Sequence, residues 1–319
     1  MSNILTIGIP TYNRKEAASS CLENLKNNFP SKEINVLLID NCSEDGSFEF
    51  LKNRYQDTPF EIIKNRKNLG FSGNTIQLIK ECKTDYLLWN PDEDKIIKEN
   101  VTELIDFLNM NKPKLVCPQY YLEKELYRGK TSIGEIYPKD IWHAAPHLPG
   151  IIFHVPSCMS FINEFDKIEK NYPNAYNYYP QIFLLSKLIL KGKCFYWDKP
   201  INEQDIFIDD THSLDESGVG YFGLSMRWRI HKEFVYFFEE LLNVEKNNLA
   251  VKDMLSVQKN RLFQVIRQSI ENESPDLLID FDRGVVKRLF SLFSSLIKDL
   301  FMHPISLLKK IVKLFGIKK

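Results

Sequence analysis

The sequence predicts an α/β fold with a mostly parallel sheet and helices on both of its faces. Three observations predict it. Short runs rich in Ile, Leu and Val alternate with amphipathic stretches of helix length over the first 118 residues. Some runs, such as NVLLID, are apolar on consecutive positions, as a strand covered on both faces requires. Polar residues gather where each run hands over to the next loop.

The strand-like runs are Ile4–Pro10, Ile34–Asp40, Phe60–Lys64, Tyr86–Asn90 and Leu115–Pro118. The helical stretches between them are Lys15–Asn28, Glu44–Tyr55, Ser72–Lys83 and Glu99–Met110, with apolar residues at helical spacing. Farther on, Arg229–Leu242 and Leu249–Ile270 read as helices of a supporting appendage. Three regions are expected: a sheet domain over 1–214, a helical appendage over 215–282, and a basic tail over 283–319.

A chain of 319 residues with 44% hydrophobic content has ample core, which excludes disorder and a small disulfide scaffold. Forty-two basic residues balance 42 acidic ones, so a protein coating nucleic acid is not expected. The six cysteines show no C-x-x-C spacing and read as single thiols of a reducing cytosol. No signal peptide is read at the N-terminus and no apolar run approaches 18 residues, so neither export nor a spanning helix is expected.

The tail departs from this balance. Residues 283–319 hold nine Lys/Arg and one acid, a net +8, and Phe290, Phe293, Phe301 and Phe315 lie on its apolar face. Such a helix is expected to lie on an anionic membrane surface, which predicts a cytoplasmic protein peripheral to the inner face of the cell membrane. The competing expectation is docking on the body or on a second subunit, as in a homo-oligomer.

Four polar strand ends, at Pro10–Arg14, Asp40–Gly46, Asn65–Asn74 and Asn90–Asp94, should converge on one crevice, where open α/β sheets bind ligands. No G-x-G-x-x-G and no G-x-x-x-x-G-K-[ST] is present to cradle phosphates on backbone amides. Instead the fourth run ends in Asp92, Glu93 and Asp94. Adjacent carboxylates repel unless a cation lies between them, and Mg²⁺ or Mn²⁺ binds a few carboxylates plus substrate phosphate oxygens. The expected ligand is therefore a metal–diphosphate, with Asp40 accepting from a base or a ribose.

These four segments, IGIPTYNR, LLIDNCSEDGS, NRKNLGFSGN and NPDEDKI, resemble in order the motifs of family-2 glycosyltransferases of the Rossmann-like GT-A fold, over about residues 4–112. The resemblance implies an inverting, metal-dependent transferase of bacterial surface-polysaccharide type, taking a nucleotide-diphosphate sugar donor and a glycan or lipid-linked acceptor. It implies that Pro10, Thr11 and Asp40 hold the base and that Asn68 and Asn74 line the donor pocket. Asp92 would face the ribose or metal, Asp94 would be the main metal ligand, and His212 would help hold the metal or diphosphate.

Beyond residue 150 the resemblance is looser. Where the family places a catalytic Glu-Asp pair, residues 178–181 read Tyr-Tyr-Pro-Gln. Glu164 and Asp166 are the carboxylates left as candidates for the general base, with His143, His147 and His154 near them in sequence. The missing pair keeps an alternative open, a non-catalytic sugar-nucleotide-binding or scaffold protein of the same fold. A nucleotidyltransferase is a weaker third option, since it would bring a Gly-rich basic first loop.

Overall fold

A computed structural model of the chain describes residues 4–29, 34–122, 125–204, 224–246 and 248–262. His212, residues 215–223, 247 and 263–282 of the expected appendage, and the whole basic tail lie outside the described residues. Met1–Asp209 and Leu249–Met254 belong to one compact unit, and Asp210–Asn248 and Leu255–Lys319 to a second.

The first half of the first unit is built as the periodicity predicts. Strand β1 (Leu5–Thr11) leads to α1 (Lys15–Asn28), β2 (Asn35–Asp40), α2 (Ser47–Arg54), β3 (Glu61–Lys64), α3 (Gly70–Glu81) and β4 (Tyr86–Trp89). All four strands are parallel, in the order β3-β2-β1-β4. The chain walks outward from β1 and then returns to its other side, so the order reverses at β1. Ile7, Ile9, Leu38, Ile39, Leu87 and Leu88 are fully buried, as strands covered on both faces demand. Helix α1 turns Ala18, Cys21, Leu22 and Leu25 into the core, a three- and four-residue spacing that puts them on one face.

Two helix starts differ from the expectation. Helix α2 begins three residues late because Asp45 Oδ1 accepts from the Ser47 amide at 2.9 Å and Gly46 takes φ +80°, so the chain is still turning there. Helix α3 begins two residues early, at Gly70, whose amide is taken up by Asn68 Oδ1 at 2.8 Å.

The second half completes the sheet. It runs β5 (Asp94–Ile96), α4 (Lys98–Asn111), β6 (Leu115–Leu122), β7 (Glu125–Arg128), β8 (Gly134–Glu135), α5 (Ile141–Ala144), β9 (Ile152–His154), α6 (Val155–Met159), α7 (Phe165–Asn171), α8 (Pro173–Tyr178), α9 (Pro180–Ile189), β10 (Cys194–Pro200) and β11 (Asn202–Gln204). Strand β9 lies antiparallel between β4 and β6, β10 runs parallel to β6, and β8 closes the edge. The short β11 crosses to pair antiparallel with β5, placing Gln204 opposite Asp94. That pairing returns the last part of the unit to the carboxyl ends of β1 and β4. All six cysteines are unpaired thiols, as their scattered spacing predicts.

The described part of the second unit includes α10 (Leu224–Val244), where the buried rings of Phe234 and Phe238 stack at 6.2 Å. Helix α11 (Leu249–Asn260) follows, and its Gln258 donates to the His231 carbonyl of α10 at 3.2 Å. Among the described residues no helix is long and apolar enough to cross a membrane.

Candidate nucleotide-sugar site

The ends of β1, β2 and β4 are tied into one surface by side chains. Asp40, fully buried at the end of β2, accepts from the Ser43 amide through Oδ1 at 2.8 Å, which folds the chain back over the strand end. Ser43 Oγ in turn accepts from the Asn13 amide at 2.8 Å, and the Asn13 side chain accepts from the Glu44 amide at 2.9 Å. The loops after β1 and β2 are thus laced together. The other carboxylate oxygen of Asp40, Oδ2, is buried without a hydrogen-bond partner. A buried acceptor left unpaired costs on the order of 1–3 kcal/mol, so this oxygen is one a ligand donor would satisfy.

The asparagines of the third loop form a buried ladder. Asn65 donates to both Asn41 and Asn74 at 3.0 Å, Asn41 donates to Asn68 at 2.8 Å, and Asn74 donates to the Ile39 carbonyl at 3.2 Å. Asn74 is 3% exposed, so its amide serves the frame of the loop and not an open pocket wall. Asn68 is exposed, with its oxygen shared between Asn41 and the Gly70 amide. The resemblance places both in the donor pocket; in the structure Asn74 is buried in the ladder and Asn68 is exposed.

The acidic turn is the centre of the site. Asn90, fully buried, donates to the carbonyls of Pro91 and Asp94, at 2.9 and 3.2 Å, and so shapes the turn that carries all three acids. Asp92, at the end of β4, accepts from Thr11 Oγ1 at 2.6 Å and from the Arg14 guanidinium at 3.2 Å. Arg14 also reaches Glu93 at 3.1 Å. Burial first, then the hydrogen bond and charge of Asp92, push the Glu93 carboxyl up to about 9 against the opposing pull of Arg14. Asp94, 1% exposed, accepts from Asn202 Nδ2 at 2.6 Å. Burial, with the charges of Asp94 and Glu93, pushes the Tyr120 phenol up and keeps it a donor.

Behind Asp94 stands a fully buried arginine. Arg128 donates to the carbonyls of Pro118, His147 and Pro149, at 3.0, 2.7 and 2.6 Å, and so pins the loop before β9 against β6. Burial lowers its pKa, while nearby groups, Asp94 among them, act the other way. Gly150 ends that loop at φ +77°, and a Cβ there would collide with Asn202 Oδ1. A left-handed glycine is therefore what lets Asn202 reach Asp94. The sequence reading assigned no role to Asn202, Tyr120 or Arg128. Their only local signal was being polar, or half-polar, beside strands, and the contact with Asp94 spans as many as 108 residues of chain.

The candidate bases are placed differently. Strand β9 pairs antiparallel with β4, His154 opposite Tyr86, so the chain leaves β9 at the amino end of β4. Glu164 and Asp166 lie at the start of α7 on that side, exposed, with Glu164 in a 2.7 Å ion pair to Lys187. No hydrogen bond or ion pair among the described residues joins Glu164 or Asp166 to Asp40, Asp92 or Asp94. His154 bonds Ser157 at 2.7 Å on the same side. His143 is exposed, its ring 5.8 Å from that of Tyr196. At the head of α9 the residue present is Gln181, 2% exposed, its Nε2 3.4 Å from the Ala145 carbonyl and its Oε1 buried without a partner.

Among the described residues no group of three or more His, Cys, Asp and Glu is arranged to hold a metal by itself. A divalent cation shared with a diphosphate needs fewer protein ligands, and the carboxylate oxygens of Asp92 and Asp94 are the hard donors it prefers. Asp92 and Asp94 are both buried in one turn, so the donor chemistry present fits such a cation.

Comparison with known proteins agrees with this geometry. The chain is 27% identical over 272 residues to the abequosyltransferase RfbV of Salmonella typhimurium, covering 78% of each chain. It is 26% identical over 119 residues to the uncharacterized glycosyltransferase YfnE of Bacillus subtilis, a match covering 37% of this chain and 30% of that one. The chain thus spans about a third of the length of several curated relatives. Among solved structures, residues 1–349 of Staphylococcus aureus TarS in complex with UDP-GlcNAc superpose with a TM-score of 0.58 at 14% identity, over 84% of this chain and 72% of that one. The mannosyltransferase PcManGT of Pyrobaculum calidifontis, in complex with GDP-Man and Mn²⁺, superposes with a TM-score of 0.52 at 11% identity, over 99% and 88%. These likenesses identify the GT-A fold. The family model for glycosyl transferase family 2 matches residues 6–186, more than half of the chain, and the protein belongs to that family.

Proposed function

We propose that the protein is an inverting glycosyltransferase of bacterial surface-polysaccharide synthesis, moving a sugar from a nucleotide-diphosphate donor to a glycan or lipid-linked acceptor. The observation that carries this reading is the placement of the buried, unpaired Asp40 Oδ2 and the tethered Asp92–Asp94 turn at the ends of β2 and β4, the two strands that flank β1. Asp40 is suited to accept from an N–H of the base, and Thr11 orients Asp92 toward the ribose and diphosphate. Asp92 and Asp94 would hold Mn²⁺ or Mg²⁺, which when bound supplies positive charge to the departing diphosphate. The chain's own contribution is orientation: Asn202 and Thr11 fix the carboxylates before the donor arrives. The mannosyltransferase crystallised with GDP-Man and Mn²⁺ and the TarS complexes with UDP-GlcNAc and UDP support this use of the fold.

A nucleotide-sugar hydrolysis screen with Mn²⁺ or Mg²⁺ tests the reading without knowledge of the acceptor. Release of one nucleoside diphosphate is expected; inertness toward every donor would count against it. Gln181 favours a second reading, because an amide stands at the head of α9 where the family has a carboxylate pair. On that reading the protein binds the donor without transferring the sugar, and tight binding with no turnover would reveal it. The +8 charge and phenylalanines of residues 283–319 support attachment to an anionic membrane surface. Co-sedimentation with anionic vesicles, compared between the full chain and one ending at residue 282, tests that part: loss of pelleting on truncation is expected, and equal pelleting would contradict it.

A further inference from the structure

The hairpin of β6 and β7 leaves large side chains in solvent beside the acidic turn. Tyr127 on β7 is 50% exposed, yet its position is fixed. Its ring meets that of His147 edge-on, at 5.6 Å and 78°. The His147 ring also meets that of Tyr120, at 5.1 Å, and the charge of Asp94 acts on the Tyr120 phenol. The backbone is held as firmly, because the next residue, Arg128, clamps the carbonyls of His147 and Pro149. An exposed aromatic ring is thus held against His147, whose loop ends at Gly150 against Asn202, the side chain that bonds Asp94.

We propose that Tyr127 is the stacking plate for the acceptor saccharide, a proposal that rests on the glycosyl-transfer reading above. A pyranose has one face of C–H groups, which packs on an aromatic ring, and a rim of hydroxyls, which stays hydrated. A ring already ordered loses little conformational entropy when it binds. The phenol at the edge of Tyr127 suits that hydroxyl rim. The plate holds the acceptor beside the donor, on the side of Asp94 away from Asp40, so it sets which hydroxyl is presented to the anomeric carbon.

The test uses the full chain, saturation-transfer NMR with methyl β-D-glucopyranoside, methyl β-D-galactopyranoside and methyl α-D-mannopyranoside as probes, and parallel calorimetry with UDP, GDP, CDP and dTDP. At least one glycoside is expected to receive saturation from the wild type. Tyr127→Phe and Tyr127→Trp should retain the transfer, and Tyr127→Ala should weaken glycoside affinity roughly five- to tenfold. Tyr127→Leu, which still covers His147 but has no ring face, should behave as Tyr127→Ala. Wild-type transfer in Tyr127→Leu or Tyr127→Ala, or no transfer to any glycoside in the wild type, would overturn the proposal. Calorimetry separates the two claims: nucleotide binding without glycoside transfer sinks the plate alone, whereas absence of nucleotide binding sinks the donor reading.

Discussion

Asn202 Nδ2 donates a 2.6 Å hydrogen bond to Asp94 Oδ2, joining β11 to the acidic turn after β4 across 108 residues of chain. Both side chains are buried, and Gly150 leaves the space that Asn202 occupies. The carboxylate of Asp94 therefore takes its orientation from the last strand of the unit, not from its own loop.

Removing this tether should misplace the carboxylate without emptying the core. Asn202→Ala is expected to weaken metal-dependent nucleotide binding by about 1–2 kcal/mol, the range of one hydrogen bond to a charged group. Gly150→Ala should do the same indirectly and also lower stability, since it strains a left-handed position and pushes on Asn202. Calorimetry and thermal melting of the two variants check both effects; wild-type binding in both would remove Asn202 from the site.

Asp40→Asn keeps an acceptor for the Ser43 amide but replaces a carboxylate oxygen with an amide at the unpaired position. Nucleoside diphosphate binding should weaken by roughly 1–3 kcal/mol while the melting temperature changes little. Unchanged affinity would place the base elsewhere in the crevice.

The asparagine ladder predicts a stability effect rather than a binding one. Asn65→Ala leaves Asn41 and Asn74 each short of a buried donor, which should cost about 1–3 kcal/mol in urea unfolding. A neutral result would show that the ladder does not hold the third loop.

His147 supplies a pH dependence. Burial, then the charge of Arg128, lower its pKa from 6.5 to about 3, so it is neutral in the fold and protonates more readily in the unfolded chain. Its contribution to stability is present above the unfolded pKa of 6.5 and is lost progressively as pH falls toward 3. The residue is partly exposed, so the loss between pH 7 and pH 5 should be about 1 kcal/mol, less than full titration would give. Unfolding curves of wild type and His147→Asn at the two pH values isolate it: the gap between the proteins should change with pH, and a constant gap would contradict the assignment.

The legible part of this protein is the part whose signals are local. Strands β1 to β4 and their helices follow from apolar runs and helical spacing, and Asp40 and the Asp92–Asp94 turn announce themselves as polar strand ends. Asn202, Arg128 and Gly150 carry no such signal, because their roles depend on β11 crossing back to β5 and on the loop before β9. Glu164 is engaged by Lys187 of α9, a partner that sequence spacing does not show. Asn74 was legible as a motif residue but not as a buried strut, since its bond to the Ile39 carbonyl of β2 is made only in the folded sheet.

The central claim is that the Asp92–Asp94 turn binds a nucleoside diphosphate together with a divalent cation. Calorimetric titration of UDP, GDP, CDP and dTDP into the full chain, with Mn²⁺ and with EDTA, and repeated on Asp94→Asn, tests it most directly. The account predicts that one nucleotide binds with Mn²⁺ and that its affinity falls at least roughly tenfold, about 1.4 kcal/mol, in EDTA and in Asp94→Asn alike. Equal affinity with and without metal, or an Asp94→Asn variant that binds as the wild type does, would contradict it.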